Sequence, residues 1–231
     1  SDYTIREYIR NFIMSTLETN LVQPSSGTSL TLGASGDTIT VPSGATITNS
    51  GTATGFPGMW KFISQATASS SSAIDFTSFS TDFKDFCVEI QSCRHGTDNT
   101  YPHFRIFDSG GSVVSSSSPG YQWVYHGRST SVYSTAQNSS QGEITYAPQI
   151  GNAGSEGLNG FIYLYNVHDT GDQYKQFMFM NSSHNTSGNI QITHGCGAYK
   201  ASAATISGIK LLTSSGNIAE GNFALYGRKR A

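Results

Sequence analysis

The chain has 231 residues, of which 12% are charged and 12% aromatic, and its formal net charge is −2. This aromatic content excludes a disordered chain, and the absence of a basic face excludes a nucleic-acid-binding protein. The longest apolar stretches are too short to span a bilayer, so we expect no membrane insertion. Abundant Gly, Ser and Thr predict a mainly β protein whose short strands are joined by small polar turns.

Residues 1–26 are predicted to be a helical attachment segment. Thr4 and Glu7 fit a capping box, and Pro24 with Gly27 ends the helix. One face carries an apolar stripe of Ile5, Ile9, Phe12, Ile13 and Leu17. A helix this short is marginal alone in water, so the stripe should pack on a soluble domain, on copies of itself or on another protein. We favour the last two, because the next segment offers no core to receive it.

Residues 27–55 contain a short repeat and are predicted to be a thin β shaft. Ser35-Gly36-Asp37-Thr38-Ile39-Thr40 returns eight residues later as Ser43-Gly44-Ala45-Thr46-Ile47-Thr48. One chain cannot bury a core with such units, whereas three chains would close a narrow prism with Ile39 and Ile47 on its axis. The competing interpretation is a flexible Ser/Thr/Gly linker. The regular placement of β-branched residues favours the shaft.

Residues 56–231 are predicted to form an antiparallel β-sandwich head, jelly-roll-like in architecture. About nine strand-like runs are separated by Gly, Ser, Asn and Asp clusters, as in all-β domains. The runs are 59–65, 86–91, 103–108, 121–126, 160–167, 175–181, 189–194, 205–213 and 222–227.

The residues that could carry catalysis or bind a metal indicate neither an enzyme nor a cofactor. Two carboxylate pairs, Asp82 with Asp85 and Asp169 with Asp172, lie in turn-like contexts and are expected to cap turns. His194 and Cys196 share a strand face, but two ligands do not complete a metal site. The three cysteines, Cys87, Cys93 and Cys196, are expected to be reduced and buried. The basic cluster 228–230 is expected to be a solvated tail.

Two aromatic and amide-rich stretches are the candidates for ligand recognition. Sugars stack on aromatic faces and hydrogen-bond to Asn, Arg and His side chains. Core or intersubunit packing is the competing role, and it is the favoured one for any single residue. The candidates are Asn99, Tyr101, His103, Trp123, Tyr125, His126, Arg128 and Tyr133.

Three stretches resemble tail-fibre and other virion structural proteins of bacteriophages, especially marine ones. They are "SLTLGASGDTITVPSGATITNSGTATGF", "ATASSSSAIDFTSFSTDFKDFCVEI" and "ISGIKLLTSSGNIAEGNFALYGRKR", which together cover residues 28–91 and 205–230. The resemblance implies a homotrimeric virion fibre with an attachment segment, a shaft and a β-rich head that adsorbs to a host-surface glycan or protein. The alternative is a capsid head-fibre or decoration protein held by residues 1–26, with no receptor role. A glycan hydrolase ranks lowest.

Overall fold

The computed structural model describes residues 21–46, 60–118, 120–127, 132–144, 150–171, 173–201 and 204–229. The contacts within the chain divide it into two units, Ser1–Phe56 and Pro57–Ala231. The predicted N-terminal helix, with Ile5, Ile9, Phe12, Ile13 and Leu17, lies outside the described residues, and so does Ile47.

The described part of the first unit contains the same turn twice, eight residues apart. The Asp37 amide donates to the Ala34 carbonyl at 3.1 Å, and the Ala45 amide donates to the Pro42 carbonyl at 3.1 Å. Gly36 and Gly44 occupy the third turn position with φ of 93° and 85°, the backbone conformation that a type II turn reserves for glycine. The sequence repeat is therefore also a conformational repeat.

No strand is present within residues 21–46, so the predicted short strands are not seen in this single chain. The physical reason is that a strand requires a neighbour for its backbone hydrogen bonds, and the described residues provide none here. The apolar side chains stay in solvent, with Leu32 63% and Ile39 62% exposed. The segment has the periodicity of the predicted shaft without a buried axis of its own.

The described part of the second unit is built from twelve antiparallel strands. They are β1 (Lys61–Ser71), β2 (Ile74–Phe76), β3 (Asp85–His95), β4 (Pro102–Asp108), β5 (Tyr121–Gly127), β6 (Val132–Ser139), β7 (Gly142–Glu143), β8 (Leu158–Tyr165), β9 (Lys175–His184), β10 (Ile190–Tyr199), β11 (Ile206–Thr213) and β12 (Ile218–Arg228). All nine predicted strands are present, which confirms the mainly β, antiparallel prediction. β2, β6 and β7 were missed because two of them are very short and β6 is polar throughout most of its length.

The strands form two sheets. The larger sheet has the order β1-β12-β3-β8-β9-β10-β5-β6, and the smaller has the order β2-β11-β4-β7. The chain enters the larger sheet at Lys61, opposite Gly227, whereas Ile218 pairs with His95 at the other end of the same strands. This second end is called the loop end below.

Both sheets contribute side chains to one hydrophobic core. Phe104 of β4 meets Phe177 of β9 edge to face, with ring centroids 4.8 Å apart. The Tyr121 hydroxyl of β5 accepts a hydrogen bond from the Ile106 amide at 2.8 Å and donates to the Val114 carbonyl at 3.0 Å. These contacts join β4 to β5 and β9, and they fix which face of each strand points inward.

Two predictions about charged residues are wrong. Asp85 does not cap a turn, because it begins β3 with no exposed surface and forms an ion pair with Arg228, whose Nη2 lies 2.7 Å from Asp85 Oδ2. Arg228 is therefore part of β12 and not of a solvated tail. Asp169 does cap a turn, since its Oδ1 accepts the Gly171 amide at 2.8 Å. Asp172 lies outside the described residues.

Candidate functional site

The outer surface of the larger sheet carries exposed apolar side chains along β9. Phe177 and Phe179 point into the core, so strand alternation turns Met178 and Met180 outward. The two methionines are 50% and 48% exposed. An uninterrupted Phe-Met-Phe-Met run is typical of a strand that is covered on both faces, yet only the inner face is covered here.

The neighbouring strand β10 extends this apolar surface. Its register places His194 opposite Met180 and Cys196 opposite Met178. Ile190 and Ile192 also face outward and are 69% and 58% exposed. Cys196 is exposed, so the prediction that all three cysteines are buried is wrong for this one. Cys196 is exposed because it lies, like His194, on the outer face of β10. Cys87 and Cys93 are packed among neighbouring side chains.

Aromatic rings continue the surface on the other side of β9. Phe161 and Tyr163 of β8 lie with ring centroids 4.8 Å apart, and Trp60 lies 5.5 Å from Tyr163. The Arg228 guanidinium lies over the Trp60 ring at 5.1 Å. The three rings thus form a continuous strip that runs from Trp60 through Tyr163 to Phe161.

The outward positions of β8, β9, β10 and β5 contain no Asp, Glu, Lys or Arg within the described strands. We call this surface the charge-free face. Its residues are Asn159, Phe161, Tyr163, Tyr165, Gln176, Met178, Met180, Ser182, His184, Ile190, Ile192, His194, Cys196, Ala198, Gln122, Val124 and His126. Apolar surface of this kind on a soluble protein marks an interaction site.

A groove of about 620 Å³ opens among β5, β6, β9 and β10, at one side of the charge-free face. Val124, Met178 and Cys196 form its apolar wall, and Gln122 and Gln176 supply amides. The groove combines an apolar floor with a few hydrogen-bonding groups, which suits an inserted side chain or a small ligand.

The loop end of the second unit presents polar groups that are held by hydrogen bonds. Single bridges join Ile150 to both Thr100 and Asn185, so three loops meet at one place. The Asn152 amide donates to Asp98 Oδ1 at 3.2 Å, and Arg94 Nη1 donates to the Asn152 carbonyl at 3.0 Å. This end therefore offers pre-positioned carboxylate and amide groups.

Of the predicted recognition residues whose side chains the structure describes, two are in ring contact, Tyr101 and His103, whose rings stack with centroids 6.2 Å apart. Asn99 is exposed in the loop end with φ of 62°, and Tyr101 is half-buried beside it. His103 is only 5% exposed, on the outer side of the smaller sheet, with Nε2 3.6 Å from Glu143 Oε1. It is therefore not an accessible recognition residue. Since Phe104 points into the core, His103 faces away from the larger sheet.

The second predicted stretch is divided between the core and the charge-free face. Trp123 is buried and belongs to the core, the competing role considered for it. His126 is exposed and pairs across the strands with His194, with ring centroids 5.4 Å apart. Arg128 and the side chains of Tyr125 and Tyr133 lie outside the described residues.

The sequence reasoning missed the methionines of the charge-free face, although their signal was present. A strand with one solvent-exposed face should alternate apolar and polar residues. The run from Phe177 to Met180 is apolar at every position.

A second feature missed from the sequence is a buried polar cluster around His95. Its Nδ1 lies 2.7 Å from Thr100 Oγ1 and 3.2 Å from Thr213 Oγ1. Burial, followed by repulsion from His103, lowers the pKa of His95 to about 4. The imidazole is therefore neutral at pH 7, and the cluster joins β3, β11 and the loop between β3 and β4.

The described residues show neither a metal cluster nor a membrane-spanning helix. None of their His, Cys, Asp and Glu side chains gather in groups of three or more that could hold a metal ion. None of their helices has the length and apolarity needed to cross a membrane.

Comparison with protein families, curated proteins and solved structures found no match to this chain.

Proposed function

We propose that this chain is a homotrimeric bacteriophage fibre protein of the virion. Residues 1–26 attach it to other virion proteins, residues 27–55 of three copies close a shaft, and residues 56–231 form a β-sandwich head. The head adsorbs to a glycan or protein on the host surface. No catalytic step, cofactor, nucleic acid or membrane insertion is part of this proposal.

The observation that carries the proposal is the repeated turn in the first unit. Two equal turns lie eight residues apart, and the apolar side chains between them, Ile39 and Val41, remain in solvent. A flexible linker has no need of regularly placed β-branched residues, whereas a shaft wall does. Three copies would supply both the hydrogen-bonding neighbours and the apolar axis that the single chain lacks.

The receptor role of the head is supported by its loop end. Recognition groups are commonly placed on loops that a rigid scaffold positions. The Asp98 and Asn152 loops are tied to each other, so little ordering would be required when a ligand binds. Asn99 and Tyr101 belong to this end, and the Tyr101 ring stacks on the buried His103 ring beside it. Trp123 lies in the core and His126 on the charge-free face.

The sandwich architecture of the head is supported by the shared core. The edge-to-face contact of Phe104 with Phe177 brings the inner sides of the two sheets together. Sheets that pack face to face bury one side of each strand and leave the other free for contacts. The head would therefore keep its outer faces available for other copies.

Adsorption of the purified 231-residue protein to susceptible bacteria tests the receptor role. The proposal expects saturable binding to these cells and dose-dependent protection from infection. Neither binding nor protection would be seen if the protein had no receptor role.

Labelling intact virions with an antibody against the chain separates the proposal from its alternative. Label at the tail supports a receptor-binding fibre. Label distributed over the capsid would support a decoration protein held by residues 1–26.

A further inference from the structure

We infer that the charge-free face is the surface through which the heads of the proposed trimer contact one another, so that its occupant is a second copy of this chain. The inference rests on the proposed function, because that function requires several copies to stand side by side. It adds the location of the head contact.

The charge-free face has the composition of an interface. Soluble proteins place many of their charged residues on the surface, but the described outward positions of four adjacent strands carry none. The centre of a protein–protein interface is depleted in charge and enriched in methionine and aromatic residues. Met178, Met180, Phe161 and Tyr163 have this character.

The strands of the charge-free face also have the sequence pattern of covered strands. β8 and β9 contain continuous apolar runs, which are typical of strands that are covered on both sides. The single chain covers only the inner side and leaves Met178 and Ile192 at least half exposed. A permanent partner would cover the outer side.

The size and shape of the charge-free face also fit a second copy of this chain. A specific interface uses roughly 20–30 residues a side, and the 17 residues of the charge-free face would supply most of that number. The groove beside Val124 and Cys196 would receive a projecting side chain. A glycan is the less suitable occupant, because the most exposed side chains of β9 and β10 include Met178, Met180, Ile190 and Ile192, which offer a sugar no hydrogen bonds.

The reactivity of the Cys196 thiol depends on whether the charge-free face is covered in the intact protein. It is a free, exposed thiol within the charge-free face, whereas Cys87 and Cys93 are buried. In a lone chain, a thiol reagent should therefore modify one cysteine without denaturant. In the proposed trimer, the neighbouring head covers Cys196 and none should react.

The experiment counts the reactive thiols of the full chain with an aromatic disulfide reagent and records its native mass on the same sample. We expect a trimer with no fast-reacting thiol. Met178→Lys/Met180→Lys should restore one reactive thiol per chain, because two lysines would be buried at the contact. Cys196→Ser, added to this variant, should remove that thiol and so identify it.

Phe62→Lys is the matched control. Phe62 is 51% exposed on β1 of the same sheet, close to the 50% exposure of Met178, but it lies outside the charge-free face. It should leave Cys196 protected. Far-UV circular dichroism and urea unfolding of each variant separate loss of the contact from loss of the fold.

The results separate this inference from the proposed function. A trimer whose Cys196 reacts rapidly overturns the head contact and leaves the trimeric fibre standing. A monomer overturns both the trimer and the contact, and a monomer with a protected thiol shows that another part of the chain covers the face. Equal thiol exposure in the Met178→Lys/Met180→Lys and Phe62→Lys proteins would also contradict the inference.

Discussion

An ion pair between Asp85 of β3 and Arg228 of β12 joins these two strands. Arg228 Nε and Nη2 both donate to Asp85 Oδ2, at 3.1 and 2.7 Å, and Asp85 Oδ1 accepts the Asn166 amide at 3.2 Å. Asp85 is fully buried, whereas the Arg228 side chain is 29% exposed. The pair thus joins β12 to β3 at the end of the larger sheet where β1 begins.

We expect Asp85→Ala to lower the free energy of unfolding by about 2–4 kcal/mol, because it leaves a partly buried guanidinium without its partner. Asp75→Ala is the matched control, since Asp75 is 42% exposed and pairs with Lys210 at 2.8 Å. Its cost should stay within about 1 kcal/mol. Urea unfolding measures both, and equal losses would contradict this account.

His95 gives the head a predictable dependence on pH. Its folded pKa of about 4 lies below the unfolded value of about 6.5, so the unfolded chain binds more protons between these values. The contribution of His95 is therefore fully present above pH 6.5 and is lost as pH falls towards 4, by up to about 3 kcal/mol. Urea unfolding between pH 7 and pH 4 should show this loss.

His95→Gln is the comparison for that experiment. It removes the titrating group and should flatten the pH dependence in this window, although its stability at pH 7 is lower. The carboxyl groups titrate in both proteins, so the difference between the two curves isolates His95. Curves that remain parallel would show that His95 does not carry the effect.

At the scale of elements, β5, β9 and β10 approach so closely at Gly197 that no side chain fits. A Cβ there would lie 2.2 Å from the Gln122 carbonyl and 2.4 Å from the Phe177 ring. We expect Gly197→Ala to cost about 1–3 kcal/mol through forced separation of the strands. Gly154→Ala, where no atom lies within 4 Å, should be nearly neutral. Urea unfolding compares the two, and similar values would be evidence against the close approach.

The strands were predictable to the extent that their residues alternate or cluster between turn residues. β4 was visible in Phe104 and Ile106, and β8 in Phe161 and Tyr163. β7 has only two residues, and its pairing with His103 depends on a fold that brings distant segments together. The assignment of strands to the two sheets could not be predicted either. Pairing partners can be far apart in the sequence, as Lys61 and Gly227 are.

The candidate site was only partly predictable for the same reason. Exposed Asn99 and His126 were identified by residue type, but residue type does not distinguish the inner from the outer side of a strand. Tertiary packing made Trp123 a core residue and buried His103. The unusual feature of β9, its apolar outer side at Met178 and Met180, becomes meaningful only once Phe177 is known to point inward.

For the whole molecule, the turn glycines of the first unit should determine how well copies associate. Gly36→Ala with Gly44→Ala places a side chain where φ is 93° and 85°, which costs roughly 1–2 kcal/mol a turn. The temperature at which the proposed trimer dissociates should fall. Ser35→Ala with Ser43→Ala changes the preceding turn positions, which accept any residue, and should leave it unchanged. A linker interpretation expects no difference between the pairs.

The central claim is that three copies of the chain form one particle, and light scattering of the purified 231-residue protein tests it most directly. The account predicts a species of three times the chain mass of 24.7 kDa that persists on dilution to low micromolar concentration. A stable species of a single chain mass would contradict the account, because the repeated turns would then have no partners with which to close a shaft.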